Sequence, residues 1–154
     1  MKQLTFLATI ALLAVLTSCE KPVPHEDEKQ PVIEVTYETI NGCWQLTHLN
    51  GESLLDESMM YIDLLAPDDK SEVARYEMWD NLGSMYMRQT TGSYTISKEE
   101  DSYILRGTYD NGVGDWNEEY RVVMLQGERM QWWSLSTGVC LEFRFVMERP
   151  EVFN

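Results

Sequence analysis

The sequence predicts an all-β fold, an antiparallel up-and-down barrel of about eight strands. Three observations predict it. Between residues 43 and 149, apolar side chains recur at every second residue in short runs, turn-forming residues separate these runs, and no long stretch has a helical period. A meander of short strands leaves two unpaired edges, and closure into a barrel pairs those edges with each other.

Length and composition are those of one globular domain with an acidic surface. The chain has 154 residues, a formal net charge of −14 and 44% hydrophobic residues. The apolar content argues against a disordered chain. The negative charge repels phosphate backbones, so nucleic acid is a poor partner.

The N-terminus has the three parts of a secretory signal peptide, which we assign to residues 1–18. Lys2 supplies a positive charge, residues 4–16 are almost wholly apolar, and small residues follow. The apolar run is too short for a spanning helix, which needs about 20 residues. Residues 19–39 are acidic and proline-containing, typical of a solvated tether, and residues 40–150 then form the barrel domain.

Leu16-Thr17-Ser18-Cys19 resembles the lipobox of bacterial lipoproteins. The resemblance implies cleavage before Cys19, lipid on its sulfur and acylation of the new N-terminus. The next residue is Glu20 rather than the aspartate that signals retention at the inner membrane, so the resemblance implies the outer membrane. Several acyl chains anchor firmly because each buried CH₂ contributes about 0.8 kcal/mol. Acidic residues after Cys19 resemble the surface-export signals of Bacteroidota lipoproteins, and the domain faces either the cell surface or the periplasm. The alternative is an ordinary signal peptide with an incidental cysteine.

Eight segments have the composition and alternation of strands. They are Cys43–Leu49, Met59–Leu65, Val73–Trp79, Ser93–Ser97, Tyr103–Tyr109, Glu119–Leu125, Arg129–Ser134 and Val139–Arg149. The third segment is ambiguous, because its apolar residues also recur every three positions, and we favour a strand because the barrel needs one. Turn signals separate the segments: Asn50-Gly51, Thr91-Gly92, residues 98–101, residues 110–112, Gln126-Gly127 and Thr137-Gly138.

Ile40-Asn41-Gly42-Cys43-Trp44 resembles the Gly-x-Trp opening of lipocalins, and residues 92–130 resemble the lipocalin-like domains of Bacteroidota lipoproteins. The resemblance spans residues 40–149. In that family an arginine at the end of the last strand packs on the opening tryptophan and plugs the closed end of the barrel. By strand parity Arg149 points inward, so we expect it to meet Trp44 in a cation–π contact of about 0.5–2 kcal/mol.

The side chains with inward parity are rich in aromatic residues and methionine. Those we assign to a ligand-binding interior are Tyr94, Tyr109, Tyr120, Met124, Trp132, Phe143 and Phe145, and the other inward positions are Trp44, Leu46, Ile96, Leu105, Val122, Met130 and Met147. One interpretation is a cavity for a small apolar or amphipathic ligand. The other is that these side chains simply fill an eight-stranded barrel.

Cys43 and Cys140 are an even pair for an oxidising compartment once Cys19 carries lipid. A disulfide between them would contribute about 4–5 kcal/mol. Antiparallel pairing of the first and last strands separates them by about 23 Å along the strands, whereas bridged Cα atoms lie within about 7 Å. The register therefore favours two free thiols facing outward, with a disulfide as the alternative.

Catalytic and metal-binding residues are scarce, and we expect no cofactor, no metal and no enzyme activity. The two histidines are His25, in the tether, and His48, whose parity matches that of Trp44. Carboxylates crowd one loop: Asp110, Asp115, Glu118 and Glu119. They could form a glycosidase pair or a Ca²⁺ site, but a solvated acidic loop is the simpler interpretation.

Exposed aromatic residues favour an alternative function. Trp132 and Trp133 are adjacent on a strand, so one of them must face outward, and Trp116 lies in a loop. An exposed tryptophan can stack on a sugar or anchor a protein partner. The sequence thus predicts either a lipid-anchored barrel that binds a small ligand or a non-enzymatic surface module that binds glycan or protein.

Overall fold

A computed structural model describes residues 34–69, 71–112 and 114–149. The predicted signal peptide, Cys19 and most of the predicted tether lie outside the described residues. Within these ranges no helix is long and apolar enough to cross a membrane.

The described chain forms ten strands. In order they are β1 (Gly42–Leu49), β2 (Glu52–Ser53), β3 (Met60–Leu65), β4 (Arg75–Asp80), β5 (Arg88–Glu99), β6 (Ser102–Tyr109), β7 (Gly114–Asp115), β8 (Tyr120–Gln126), β9 (Arg129–Ser134) and β10 (Cys140–Val146).

Eight of these strands close into an antiparallel barrel. The sheet order is β10-β9-β8-β6-β5-β4-β3-β1, and β1 pairs with β10 through Trp44 opposite Phe145. The two-residue strands β2 and β7 add to β1 and β6. The predicted all-β, antiparallel up-and-down barrel is confirmed, including a strand at the ambiguous third segment, and it is consistent with a lipocalin-like barrel.

Two β-bulges change which side chains face inward. The register shifts between Leu46 and His48 in β1 and between Val122 and Met124 in β8. A bulge adds one residue and so reverses the alternation beyond it. His48 therefore pairs with Glu142 on the outer face although its parity matches that of Trp44, and the inward assignment of Met124 was wrong.

The bulge in β8 gives the interior position to Leu125 in place of Met124. Met124 lies opposite Gln131, whereas Leu125 lies opposite the fully buried Met130 and is 4% exposed. An extra residue in one strand therefore exchanges a methionine for a leucine in the core.

Thr91-Gly92 lies inside the long strand β5, so the turn expected there was wrong. Gly92 is needed because the strands approach closely: a Cβ at this position would overlap the Thr108 carbonyl oxygen and the Tyr76 ring. The glycine marks a tight backbone contact in the barrel wall.

The segment before β1 covers one end of the barrel. Ile40 is fully buried, and its carbonyl accepts a 2.8 Å hydrogen bond from Trp44 Nε1. The Tyr37 ring meets the Tyr94 ring edge-on at 5.6 Å, and the Tyr37 hydroxyl accepts a hydrogen bond from the Ile96 N–H at 3.3 Å. This end is closed by aromatic contacts.

Arg149 does not contact Trp44, and its assignment as a barrel plug was wrong. Its guanidinium lies 3.3 Å from the centroid of the Trp79 ring, and its Nε is 3.4 Å from the Asp63 carboxylate. Strand β10 ends at Val146, so parity no longer governs residue 149. For the same reason Met147 is 93% exposed rather than inward. Trp44 packs edge-on against Phe145 instead, at 5.4 Å.

Both described cysteines are free thiols. Cys43 lies opposite Val146 at one end of β10, whereas Cys140 begins that strand and donates its N–H to Asn50 Oδ1. This is the register that the sequence predicts, and it keeps the two thiols at opposite ends of the strand.

Candidate functional site

The interior of the barrel contains a cluster of aromatic rings from several strands. The Trp132 ring lies 4.7 Å from Phe143 and 5.5 Å from Tyr120, measured between centroids. These three of the predicted ligand-lining residues come together. Tyr94 packs under Tyr37, Phe145 packs on Trp44, and Tyr109 is half-buried at the edge of the core.

Trp116 joins this cluster from a connecting segment. Its ring centroid lies 5.0 Å from Tyr76, 6.0 Å from Tyr120 and 6.4 Å from Trp132. It was expected to be an exposed loop aromatic, and that expectation was wrong: the side chain is half-buried against the core.

A glycine in the barrel wall makes room for Trp116. A Cβ at Gly107, in β6, would overlap the indole ring. The backbone N–H of Trp116 also donates a 2.7 Å hydrogen bond to the Gly107 carbonyl. A glycine at an inward position of a strand often marks the close approach of another group, and this was the sequence signal for Trp116.

A gap in the sheet opens beside Trp116. Strand β6 pairs with β8 at Tyr103–Leu105 and with β7 at Thr108–Tyr109, which leaves Arg106 and Gly107 between the two pairings. A cleft of about 270 Å³ lies at this gap, and we call it the lateral cleft. It is lined by Ser93, Tyr94, Thr95, Arg106, Gly107, Thr108, Asp115, Trp116, Glu118 and Glu119.

The rim of the lateral cleft is charged. Arg106 binds Glu119 through two nitrogens, at 2.8 and 2.9 Å, and also contacts Glu99 at 2.6 Å. Glu118 accepts hydrogen bonds from the hydroxyls of Ser134 and Ser136. These partners lower the pKa of Glu119, Glu99 and Glu118, so all three carboxylates are ionised at neutral pH.

The carboxylates of this loop are held by different partners and do not face one another as a pair. Asp110 binds the guanidinium of Arg75 and accepts a hydrogen bond from Thr91 at 2.6 Å. Glu118 and Glu119 are held by serines and by Arg106, as described above. The arrangement is that of a hydrogen-bonded, acidic surface loop.

In the described part of the chain, three buried side-chain polar atoms have no hydrogen-bond partner: Tyr76 Oη and Trp132 Nε1 in the aromatic cluster, and Tyr94 Oη, whose ring packs under Tyr37. Each unpaired group costs about 1–3 kcal/mol. Burial raises the pKa of Tyr76, and the neighbouring Trp116 side chain opposes that increase, but the two groups do not meet with hydrogen-bonding geometry. Burial also raises the pKa of Tyr94, and that of Tyr120 to about 12, which keeps these phenols neutral.

Of the two adjacent tryptophans in β9, Trp132 faces inward and Trp133 faces outward. Trp133 lies opposite Cys140 and Arg121 in the neighbouring strands and is half-buried. At the end of the barrel opposite the one that Tyr37 covers, the loops expose the large apolar side chains of Leu55, Met85 and Tyr86. These side chains are among the aromatic and apolar groups available for the alternative surface-binding role.

The fold and this region together define a closed β-barrel with an aromatic interior and a lateral cleft. Among residues 34–149, apart from 70 and 113, no three His, Cys, Asp or Glu side chains come together as metal ligands. Comparisons with protein-family models, with curated proteins and with solved structures found no match to this chain.

Proposed function

We propose that the protein is an outer-membrane lipoprotein, related to the lipocalin-like domains of Bacteroidota lipoproteins, whose barrel binds one small amphipathic ligand at the lateral cleft. The observation that carries the proposal is a pair of unpaired buried polar atoms, Tyr76 Oη and Trp132 Nε1, in the aromatic cluster beside the lateral cleft. Such atoms gain free energy from a bound hydrogen-bonding group. The role is binding rather than catalysis.

The size and composition of the lateral cleft support a small ligand. Its volume of about 270 Å³ lies just below the range of about 300–1,000 Å³ that is usual for ligand pockets. Tyr94 and Trp116 are the two aromatic residues among those that line it. Asp115, Glu118 and Glu119 outnumber Arg106 at its rim, so the local field favours a neutral or cationic molecule over an anion.

The lipid anchor is supported by the signal peptide and the lipobox at Cys19. Its test is incorporation of radiolabelled palmitate in the bacterial host. We expect label in the wild type and in Cys43→Ser, and none in Cys19→Ser. Label that persists in Cys19→Ser contradicts lipidation at that residue. Digestion by added protease in intact cells would place the domain at the surface, and resistance would place it in the periplasm.

Ligand binding is tested with the full chain in detergent. We expect native mass spectrometry to show one retained small molecule, and the uncharged fluorescent probe N-phenyl-1-naphthylamine to bind saturably. Tyr94→Leu should weaken probe binding, because it removes one of the two aromatic residues that line the cleft. Trp133→Leu is the matched control on the outer face and should bind as the wild type does. No retained mass together with no saturable binding contradicts the proposal.

A second function is supported by Trp133, the outward tryptophan of β9. An aromatic side chain on a rigid strand can stack on a sugar ring or anchor a protein partner. Binding to a glycan array that is lost in Trp133→Ala would favour this role. Binding that survives the substitution excludes Trp133 as its basis.

A further inference from the structure

We propose that Trp116 is an intramolecular plug in a binding site for a neutral, planar ring molecule that carries an oxygen acceptor. The site lies behind the lateral cleft, between Gly107, Tyr76 and Trp132. The proposal rests on the proposed function and deepens it, because it names the chemical class of the ligand and the residue that the ligand displaces.

Trp116 differs from the other rings of the cluster in how it is held. Tyr76, Tyr120 and Trp132 belong to the paired strands β4, β8 and β9. Trp116 lies between β7, which has only two residues, and β8. A segment with little strand pairing opens at lower free-energy cost than the sheet around it. Trp116 is therefore the ring that can leave without breaking the barrel.

The barrel wall is shaped to accept a flat ring at this position. Gly107 stands where any larger residue would overlap the Trp116 indole. Glycine inside a strand costs about 0.5–1 kcal/mol relative to alanine, and here it provides a flat surface for the ring. A planar molecule of indole size fits the same space once Trp116 has moved into the lateral cleft that it lines.

Trp116 leaves the hydrogen-bonding capacity of this site unused. The Trp132 indole offers only an N–H donor, and Tyr76 has a hydroxyl; neither forms a hydrogen bond. An indole has one donor and no acceptor, so Trp116 cannot pair with the Trp132 N–H. A ligand with a carbonyl or ether oxygen can accept from either group. Because the Trp116 indole cannot accept a hydrogen bond, such a ligand forms one that Trp116 does not. The free energy of that hydrogen bond offsets the cost of displacing Trp116.

The charge around the site selects among acceptors. Glu118 and Glu119 have lowered pKa values and are ionised, and they disfavour a carboxylate or phosphate on the ligand. Arg106 is held by two carboxylates and is not available to compensate. The preferred acceptor is therefore uncharged.

The test compares two probes of similar shape in the full chain. Coumarin is planar and has a carbonyl oxygen, whereas naphthalene has no acceptor. We expect Trp116→Ala to bind coumarin about tenfold or more tightly than the wild type, because no plug has to be displaced. In that variant coumarin should bind more tightly than naphthalene, and adding Tyr76→Phe should reduce the difference. Trp133→Ala removes a tryptophan from the outer face and should bind as the wild type does.

Two results would contradict the proposal that Trp116 is a plug. One is equal coumarin affinity in the wild type and in folded Trp116→Ala. The other is an increase in coumarin affinity in Trp116→Ala that Trp133→Ala shows to the same extent. If Trp116→Ala does not fold, Trp116→Phe keeps an aromatic ring and opens less space; a smaller gain is then expected, and no gain overturns the proposal.

The same measurements separate this inference from the proposed function. Saturable binding of N-phenyl-1-naphthylamine by the wild type, with no gain in Trp116→Ala, overturns the plug and leaves the proposed function in place. Coumarin binding by Trp116→Ala, in a protein whose wild type binds no small molecule, supports the site and contradicts the proposed function.

Discussion

The guanidinium of Arg149 lies over the outer face of the barrel, 3.3 Å from the centroid of the Trp79 ring. Trp79 is paired with Tyr61 across β3 and β4, on the side opposite the core residues Ile62 and Met78. Although it faces outward, Trp79 is only 5% exposed. The chain after β10 therefore folds back along the outside of the barrel and does not plug its end.

This contact should contribute measurably to stability. Arg149→Ala is expected to lower the free energy of unfolding by about 0.5–2 kcal/mol, through loss of the cation–π contact. Arg149→Lys should recover part of it, because a lysine ammonium also interacts with an aromatic face. Urea denaturation measures the change. Arg129→Ala, which removes a 3.9 Å ion pair from an exposed arginine, is the control and should change stability by less than about 0.5 kcal/mol.

The two wall glycines should differ in their response to alanine. At Gly92 the added Cβ meets the Thr108 carbonyl, which is fixed in the sheet, so we expect Gly92→Ala to cost about 3 kcal/mol or more. At Gly107 the Cβ meets the Trp116 ring, which can move aside, and the cost should be about 1–3 kcal/mol. Urea denaturation measures both.

Tryptophan fluorescence reports where the Trp116 ring goes in Gly107→Ala. We expect the emission to shift to longer wavelength, because the displaced indole enters water. An unshifted spectrum in Gly107→Ala, with wild-type stability, would contradict the contact between Gly107 and Trp116.

Acid should destabilise the barrel. Hydrogen bonds lower the pKa of Glu118 and Glu119 from 4.5 and that of Asp110 from 3.8. A carboxylate whose pKa is lower in the folded state contributes stability above its unfolded pKa and loses it as the pH falls through the folded pKa. We therefore expect the melting temperature to fall as the pH drops below about 4.5.

Thermal melts between pH 7 and pH 3 test this expectation. Glu118→Gln should reduce the dependence on pH, and Glu52→Gln, on the exposed strand β2, should leave it unchanged. An acid dependence that Glu118→Gln does not alter would show that the hydrogen bonds from Ser134 and Ser136 to this carboxylate carry no stabilisation.

The two described thiols should react slowly in the folded protein. Cys43 is buried, and burial together with the nearby Asp63 raises its pKa from 9.0 to about 12. Burial also raises the pKa of Cys140. Because the thiolate is the reactive form, iodoacetamide at pH 8 should label neither residue until urea is added. Peptide mass mapping measures the labelling, and a peptide that joins Cys43 to Cys140 by a disulfide would contradict the strand register.

Strand positions and barrel closure could be predicted from the sequence because the two-residue alternation is a local property. Every segment predicted as a strand overlaps an observed strand, and Trp44 does lie beside the end of the last strand, opposite Phe145. The outward, unbridged cysteines followed from the same register. Strand alternation predicted the wrong face for His48 and Met124. Each residue follows a β-bulge, which adds one residue to the strand and which the alternation alone does not reveal.

The candidate site was only partly predictable. Tyr120, Trp132 and Phe143 lie on regular strands, so their parity placed them correctly in the interior. Trp116 lies outside a strand, and no period indicates where such a side chain points. A glycine at the inward position 107 predicts that another group packs closely against the strand. The sequence does not say which group, because the Trp116 ring comes from a different segment of the chain.

The sequence by itself determined an alternating chain of eight barrel strands, their neighbours and the faces of their regular residues, because each strand must turn its apolar side chains to one common interior. Only the tertiary structure decided which surfaces the side chains of Arg149 and Trp116 pack against. Both side chains lie in irregular segments, and the surfaces that receive them, Trp79 on the outer wall and Gly107 on the inner wall, exist only after distant strands have paired.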